Sequence, residues 1–178
     1  MKHILVLSAS PRRGGNSDTL CDAFIRGALE AGHETEKLFL RDKDIRYCTG
    51  CGVCNNTHAC VQKDDMAAIL DKMLAADVIV LATPVYFYSM DAQLKTLIDR
   101  TVPRYTEMRG KEFYYILTAA DTDPSMLQRT IEGLRGFTED CLEDARERGI
   151  LCATGLWQKG EAEGSPFVQQ AYDMGRSA

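Results

Sequence analysis

Short apolar runs alternate with segments in which apolar residues recur every three or four positions, and this alternation continues along the whole chain. Ile4-Leu5-Val6-Leu7, a run near Thr35 to Leu40, Val78-Ile79-Val80-Leu81-Ala82, Phe113-Tyr114-Tyr115-Ile116-Leu117 and Ile150-Leu151-Cys152-Ala153 read as strands. Between them, Leu20, Ala23, Phe24 and Ala28 share one helical face, and Gly32 ends that helix. Met66, Ile69, Leu70, Met73 and Leu74 share another, with Asp64 or Asp65 as its cap, and Leu94, Leu97 and Ile98 mark a third. A long polar helix is predicted from about Pro124 to Arg148, and a last one through Phe167, Ala171 and Met174. Five strand-helix units without linker, repeat or low-complexity segment predict an α/β fold, with helices on both faces of a five-stranded parallel sheet. Such units suit the strand order 2-1-3-4-5, which places a ligand beyond the carboxyl ends of the strands.

With 178 residues and 45% hydrophobic content, the chain 1–178 reads as a single domain with a sizeable core. A net charge of −5 with scattered Lys and Arg argues against nucleic acid and anionic membrane surfaces as partners, leaving small molecules. No apolar run reaches membrane-spanning length and the first residues form a strand rather than a signal peptide, so a cytoplasmic location is expected. In that setting the seven cysteines are expected to be thiols or metal ligands rather than a disulfide framework.

Candidate chemistry is concentrated in three loops. Ser8-Ala9-Ser10-Pro11-Arg12-Arg13-Gly14-Gly15-Asn16-Ser17 joins the first strand to the first helix. The hydroxyls of Ser8, Ser10 and Ser17, the Asn16 amide, a guanidinium and the unpaired N–H groups of the first helical turn are all expected to face one anion, most naturally a phosphate monoester. Neither Gly-x-x-x-x-Gly-Lys-Ser/Thr nor Gly-x-Gly-x-x-Gly is present there, which disfavours triphosphates and dinucleotides. Thr83-Pro84-Val85-Tyr86-Phe87-Tyr88-Ser89 follows the third strand, where the ligand crevice belongs, and its consecutive aromatics are costly to leave exposed without a role. Cys48-x2-Cys51-x2-Cys54-x5-Cys60 places four thiols between the second strand and the next helix, with Gly50 and Gly52 freeing the backbone to wrap. This spacing is nearer to iron-sulfur ligation than to paired zinc knuckles; zinc and free or reversibly oxidised thiols remain alternatives.

The first loop resembles the phosphate loop of the flavodoxin-like NAD(P)H-dependent FMN reductases, Ser-x-Ser-Pro-Arg followed by Asn-Ser/Thr. The resemblance implies a flavodoxin-like three-layer sandwich in which Ser8, Ser10, Arg12, Arg13, Asn16 and Ser17 hold the FMN phosphate. Pro84, Val85, Tyr86 and Phe87 would border the flavin ring, Ser89 would add a polar contact, and Ala119, Ala120 and Asp121 of Thr118-Ala119-Ala120-Asp121 would lie near the ring's other edge. It further implies an oxidoreductase in which NAD(P)H reduces FMN and then yields its place to an acceptor such as a quinone or flavin, with no catalytic acid, base or nucleophile from the chain. The cysteine loop is similar to that of iron-sulfur flavoproteins, which implies a 4Fe-4S cluster on Cys48, Cys51, Cys54 and Cys60 and ferredoxin as a partner. Similar loops also occur in relatives that work with flavin alone, and a non-enzymatic thiol or metal sensor is a third alternative. Family habit implies a homodimer or homotetramer.

The remaining features receive structural readings. His3 and His33 are expected to be structural, and His58 to be the one histidine placed to act as a ligand. Cys21, Cys141 and Cys152 are expected to pack in the interior. The charged run Glu139 to Arg148 reads as a solvated helix face with an Asp144–Arg148 pair. Leu94 to Arg100 also resembles the family's helix that packs between subunits, which implies a subunit interface for its charges, and a surface helix would read the same way. The Gly155 to Gly164 loop, with Trp157, is placed to cover the flavin pocket.

Overall fold

The computed structural model describes residues Met1–Ala178. Strands β1 (His3–Ser8), β2 (Glu34–Phe39), β3 (Val78–Tyr86), β5 (Glu112–Thr118) and β6 (Arg146–Ala153) pair in parallel in the order β2-β1-β3-β5-β6. The two-residue β4 (Ser89–Met90) folds back antiparallel on the end of β3. Helices α1 (Asn16–Glu30) and α6 (Pro166–Arg176) cover one face, and α3 (Met66–Ala75), α4 (Ala92–Asp99) and α5 (Gln128–Thr138) cover the other. A single turn of helix, α2 (Cys54–Thr57), lies within the cysteine loop. The five parallel strands keep the expected 2-1-3-4-5 winding, and β4 is an added sixth.

The inner strands β1, β3 and β5 are apolar at successive positions because both of their faces are covered. Ile4, Val6, Val78, Val80, Tyr114 and Ile116 pack toward α1 and α6, while Leu5, Leu7, Ile79, Leu81, Phe113 and Tyr115 pack toward α3, α4 and α5. On the first face α1 and α6 touch backbone to backbone. A Cβ at Gly27 would collide with the Tyr172 carbonyl, and one at Gly175 with the Phe24 carbonyl. Gly27→Ala therefore forces the helices apart, and a net loss of about 2 kcal/mol is expected in urea unfolding, the helix-propensity gain offsetting part of the strain. Unchanged stability would mean that α6 is free to shift at no cost.

The predicted helix from Pro124 to Arg148 is shorter. A 3-10 turn at Pro124–Leu127 leads into α5, which ends at Thr138, and Arg146 already belongs to β6. β6 is an edge strand exposed along its first residues, and the Arg146 amide donates to the Lys111 carbonyl at 2.9 Å. The charged run therefore supplies a loop and a strand edge rather than a helix face. Asp144 adopts a left-handed conformation and makes no pair with Arg148, whose guanidinium reaches Glu112 instead; Arg135 clasps Glu147 at 2.9 and 3.0 Å.

Candidate functional site

The loop after β1 enters α1 through Gly15, which occupies the cap position without any side-chain cap bond. The amides of Asn16, Ser17 and Asp18 consequently have no partner within the chain, whereas Gly14 donates to Asp18 Oδ2 at 2.8 Å and Gly15 to the Arg12 carbonyl at 3.0 Å. A Cβ at Gly15 would meet the Arg12 carbonyl at 2.9 Å and Ser10 Oγ at 3.0 Å, so the tight turn needs glycine there. Free amides at the positive end of a fifteen-residue helix make an anion cradle.

Most of the side chains expected to face that anion are engaged elsewhere. Ser8 Oγ is buried and donates to Asp18 Oδ1 at 3.3 Å; Ser10 Oγ bonds Arg12 at both its amide and its carbonyl; Ser17 Oγ shares a 2.7 Å bond with Thr118 Oγ1. The Asn16 amide donates to the Gln158 carbonyl at 2.9 Å and accepts from the Ala162 amide at 3.1 Å, tying the anion loop to the loop after β6. Arg13 turns away, stacking over Phe39 and pairing with Asp42 beside a separate polar cavity. What the loop leaves free to meet an anion is its backbone, with exposed Arg12 and Lys159 beside it.

The aromatic segment is a hairpin rather than a loose loop. β3 runs on to Tyr86, and Phe87 and Tyr88 both take positive φ, as a two-residue type I′ turn requires. Such angles are strained for aromatic residues, and Phe87 stands fully exposed on the turn at the lip of the crevice. The hairpin is latched to the start of α4: the Asp91 amide donates to Thr83 Oγ1 at 3.0 Å, Thr83 Oγ1 donates to the Pro84 carbonyl at 2.8 Å, and Asp91 Oδ1 accepts from the Leu94 amide at 3.0 Å.

Burial pushes the Asp91 carboxyl up to about 6, with the Leu94 amide and Thr83 hydroxyl pulling it back only in part. A carboxyl whose native value exceeds its unfolded value of about 3.9 contributes most below that value, and the contribution is lost as pH rises through 6. Asp91→Asn keeps an oxygen for Leu94 and removes the charge. Relative to wild type it is expected to gain 2–3 kcal/mol between pH 4 and pH 7, roughly two units at ~1.4 kcal/mol each, in urea titrations at the two values. Parallel pH dependences would refute the buried-carboxylate assignment.

These parts enclose a cavity of about 420 Å³ lined by Ser10, Arg12, Gly15, Asn16, Ser17, Pro84, Val85, Tyr86, Phe87, Thr118, Ala120, Leu156, Trp157 and Lys159. Ser8, Arg13, Ser89, Ala119 and Asp121 stay outside it. Ser89 pairs with Tyr86 in the hairpin, Ala119 is buried with its carbonyl taken by the Leu156 amide at 2.8 Å, and Asp121 accepts from the Asp123 and Gly155 amides. Gly15, Leu156 and Lys159 join the lining without having been singled out as ligand contacts. Lys159 is the one lysine of the loop that Trp157 marked as a cover, and that was its available signal.

Cys48, Cys51, Cys54 and Cys60 line a second cavity, of about 270 Å³, rimming it rather than converging on a single-ion cage. Gly50 and Gly52 both use positive φ in this loop. Its two ends are closed by Asp64, whose side chain is fully buried and accepts from the Arg46 and Met66 amides at 3.2 Å and from Arg100 at 2.7 and 3.0 Å. Arg100, expected at a subunit interface, instead turns inward at the end of α4 and is almost wholly buried. Of the two residues expected to cap α3, Asp65 takes the cap position, without a side-chain cap bond, and Asp64 is the partner of Arg100. Burial alone would raise the Asp64 carboxyl, but the hydrogen bonds from Arg100, Arg46 and Met66 hold it below the usual carboxylate range.

His58 borders the neighbouring cavity with Asp64 and Arg104, not the one the four cysteines share. Of the other cysteines, Cys21 is buried and its thiol pushed up to about 12 by burial, and Cys152 is half-buried and also raised. Cys141 departs from expectation: it is exposed, because α5 ends before reaching it.

An iron-sulfur flavoprotein of Archaeoglobus fulgidus is 42% identical over 103 residues, covering 58% of this chain and 46% of that protein. One of Methanosarcina thermophila is 43% identical over 96 residues, covering 54% and 50%. The chain thus spans about half the length of these curated relatives. Among solved structures, an NAD(P)H:quinone oxidoreductase from Methanothermobacter marburgensis superposes with a TM-score of 0.78 over 99% of this chain and 96% of its own, at 18% identity, which establishes a common fold. No helix is long and apolar enough to cross a membrane. The family model for NADPH-dependent FMN reductase matches residues 2–131, a stretch that takes in the anion loop, the cysteine loop, the aromatic hairpin and Thr118 to Asp121, and the chain belongs to that family.

Proposed function

We propose that this protein binds FMN in the 420 Å³ cavity and passes reducing equivalents from NAD(P)H through it to a small acceptor such as a quinone or a flavin. The observation that carries this reading is the joining, in one cavity, of three unpartnered helix-end amides with an apolar hairpin wall. The donor set fits the cofactor: the amides of Asn16, Ser17 and Asp18 suit a phosphate dianion, with Arg12 and Lys159 adding charge, and Pro84, Val85 and Tyr86 suit a flat ring. Bound FMN supplies the electron-transfer chemistry. The chain's part is to position and to exclude water. Asn16 holds the Trp157 loop against the anion site, the Asp91–Thr83 latch fixes the hairpin, and exposed Phe87 offers an apolar face to a flat co-substrate.

A second reading, an iron-sulfur flavoprotein electron carrier served by ferredoxin, is favoured by the four cysteines around one cavity and by the names of the relatives above. A 270 Å³ space rimmed by thiols suits a sulfur-bridged 4Fe-4S group, which would store and pass single electrons there. Self-association as a homodimer or homotetramer goes with either reading, given exposed Tyr47, Val61, Phe87 and Val102, and light scattering tests it.

The deciding experiment is anaerobic purification followed by a visible spectrum, flavin and iron per chain, and NAD(P)H oxidation with a quinone. Flavin with turnover supports the reductase, and about four irons per chain adds the cluster. A protein that takes up neither after incubation with FMN refutes both and leaves the thiol sensor.

A further inference from the structure

Arg100 is the largest side chain that the fold buries, yet it lies beside the cysteine loop rather than in the apolar core. It lines the 270 Å³ cavity together with Cys48, Cys51, Cys54 and Cys60, and also the neighbouring cavity, which it shares with Cys60. Its terminal nitrogens are engaged: Nη1 donates to Asp64 Oδ2 at 2.7 Å and to the Arg46 carbonyl, and Nη2 donates to Asp64 Oδ1 at 3.0 Å. The two-pronged pair fixes the plane of the guanidinium. Its Nε–H is buried and makes no hydrogen bond within the chain.

A buried, charged N–H without a partner is rare and calls for an explanation. Asp64 is saturated by Arg100 and by the Arg46 and Met66 amides. The one carboxylate around this cavity, Asp99, is paired with Lys95 at 2.6 Å, which leaves the sulfurs of the four cysteines as the anionic atoms the cavity can add. The Arg100–Asp64 pair closes the loop, since Asp64 holds residue 46 before the first cysteine and Met66 after the last.

We propose that Arg100 sets the charge balance of the sulfur group held by the four cysteines, its Nε–H being reserved for one sulfur of that group while its terminal nitrogens clamp the ends of the loop. This rests on the cluster reading given above. A fixed positive charge and donor at a sulfur favour the form that carries one more electron, so Arg100 raises the one-electron potential of the group.

The test uses the full chain, reconstituted anaerobically with iron and sulfide and titrated with dithionite. Because removing Arg100 alone strands the Asp64 carboxylate, two variants are compared: Arg100→Lys, which keeps the charge without the fork, and the double variant Arg100→Gln/Asp64→Asn, which keeps the pair neutral and hydrogen-bonded. Circular dichroism, thermal melting and iron per chain establish that each is folded and loaded. At the wild-type midpoint the reduced-to-oxidised ratio is expected to fall about tenfold in the double variant, a midpoint ~59 mV lower for one electron, and about threefold in Arg100→Lys. A wild-type midpoint in both loaded variants overturns the proposal while leaving the cluster reading intact. Loss of iron from both folded variants also overturns it, assigning Arg100 to loop anchoring alone. If the wild type itself takes up no iron, the cluster reading fails and the proposal with it.

Discussion

Replacing Asp64 with alanine is expected to destabilise the fold by about 3–5 kcal/mol, read as lost urea-unfolding free energy at pH 7. The side chain is wholly buried and receives four hydrogen bonds, two from Arg100 and one each from the Arg46 and Met66 amides. Removing it leaves an almost fully buried guanidinium without its counter-charge and two amides without an acceptor. A buried pair gains little over an apolar pair of the same size, so the large term is the stranded charge rather than the lost bond. Asp64→Asn, which retains an acceptor, is accordingly expected to cost less than the alanine. The acid limb supplies a second check. A carboxyl held below its unfolded value of about 3.9 stabilises fully above that value, and the contribution is lost as pH falls through the native value. Wild type and Asp64→Ala should therefore converge on acidification. A difference below about 1 kcal/mol at pH 7, with parallel acid limbs, would mean that water reaches Arg100 and that the pair does not hold the cysteine loop.

How much of this was legible in the sequence depends on whether a residue's partner is near in the chain. The winding was legible because β1, β3 and β5 are covered on both faces, so their residues form unbroken apolar runs bounded by polar loops. The end of α5 was not, because a charged run fits a solvated helix and a half-exposed edge strand equally well, and only pairing with Lys111 and Glu112 decides between them. The hairpin at Phe87-Tyr88 carries none of the Asn-Gly chemistry that announces a type I′ turn. In the anion loop the sequence located the donors but not their allegiance: Asn16 spends both ends of its amide on residues 142 and 146 positions away. Arg100 followed the same logic. Its charge read as part of an interface helix, and its partner Asp64 lies 36 residues earlier.

Gly15→Asp is expected to weaken FMN binding about 1,000-fold, ~4 kcal/mol, while riboflavin, which has no phosphate, binds as it does to the wild type. Gly15 sits at the cap position of α1 with ordinary extended φ and ψ of −77° and 170°, so an aspartate is conformationally allowed there. Its carboxylate would reach the amides of the first helical turn, which now have no partner, and would thereby occupy the cradle with a covalently attached anion. An incoming phosphate then loses two or three charge-assisted hydrogen bonds and meets a like charge as well. The apoprotein should lose about 1–2 kcal/mol, because the new Cβ meets the Arg12 backbone carbonyl at 2.9 Å and the turn must shift, while a side-chain cap returns only a few tenths of a kcal/mol over glycine. Titration of flavin fluorescence with FMN and riboflavin in parallel separates the possibilities. An equal loss for both ligands would place the damage in the ring wall formed by the hairpin, and unchanged FMN affinity would move the phosphate away from α1 altogether. Glycine at this cap leaves the first-turn amides without the side-chain partner that Ser, Thr, Asp or Asn would supply.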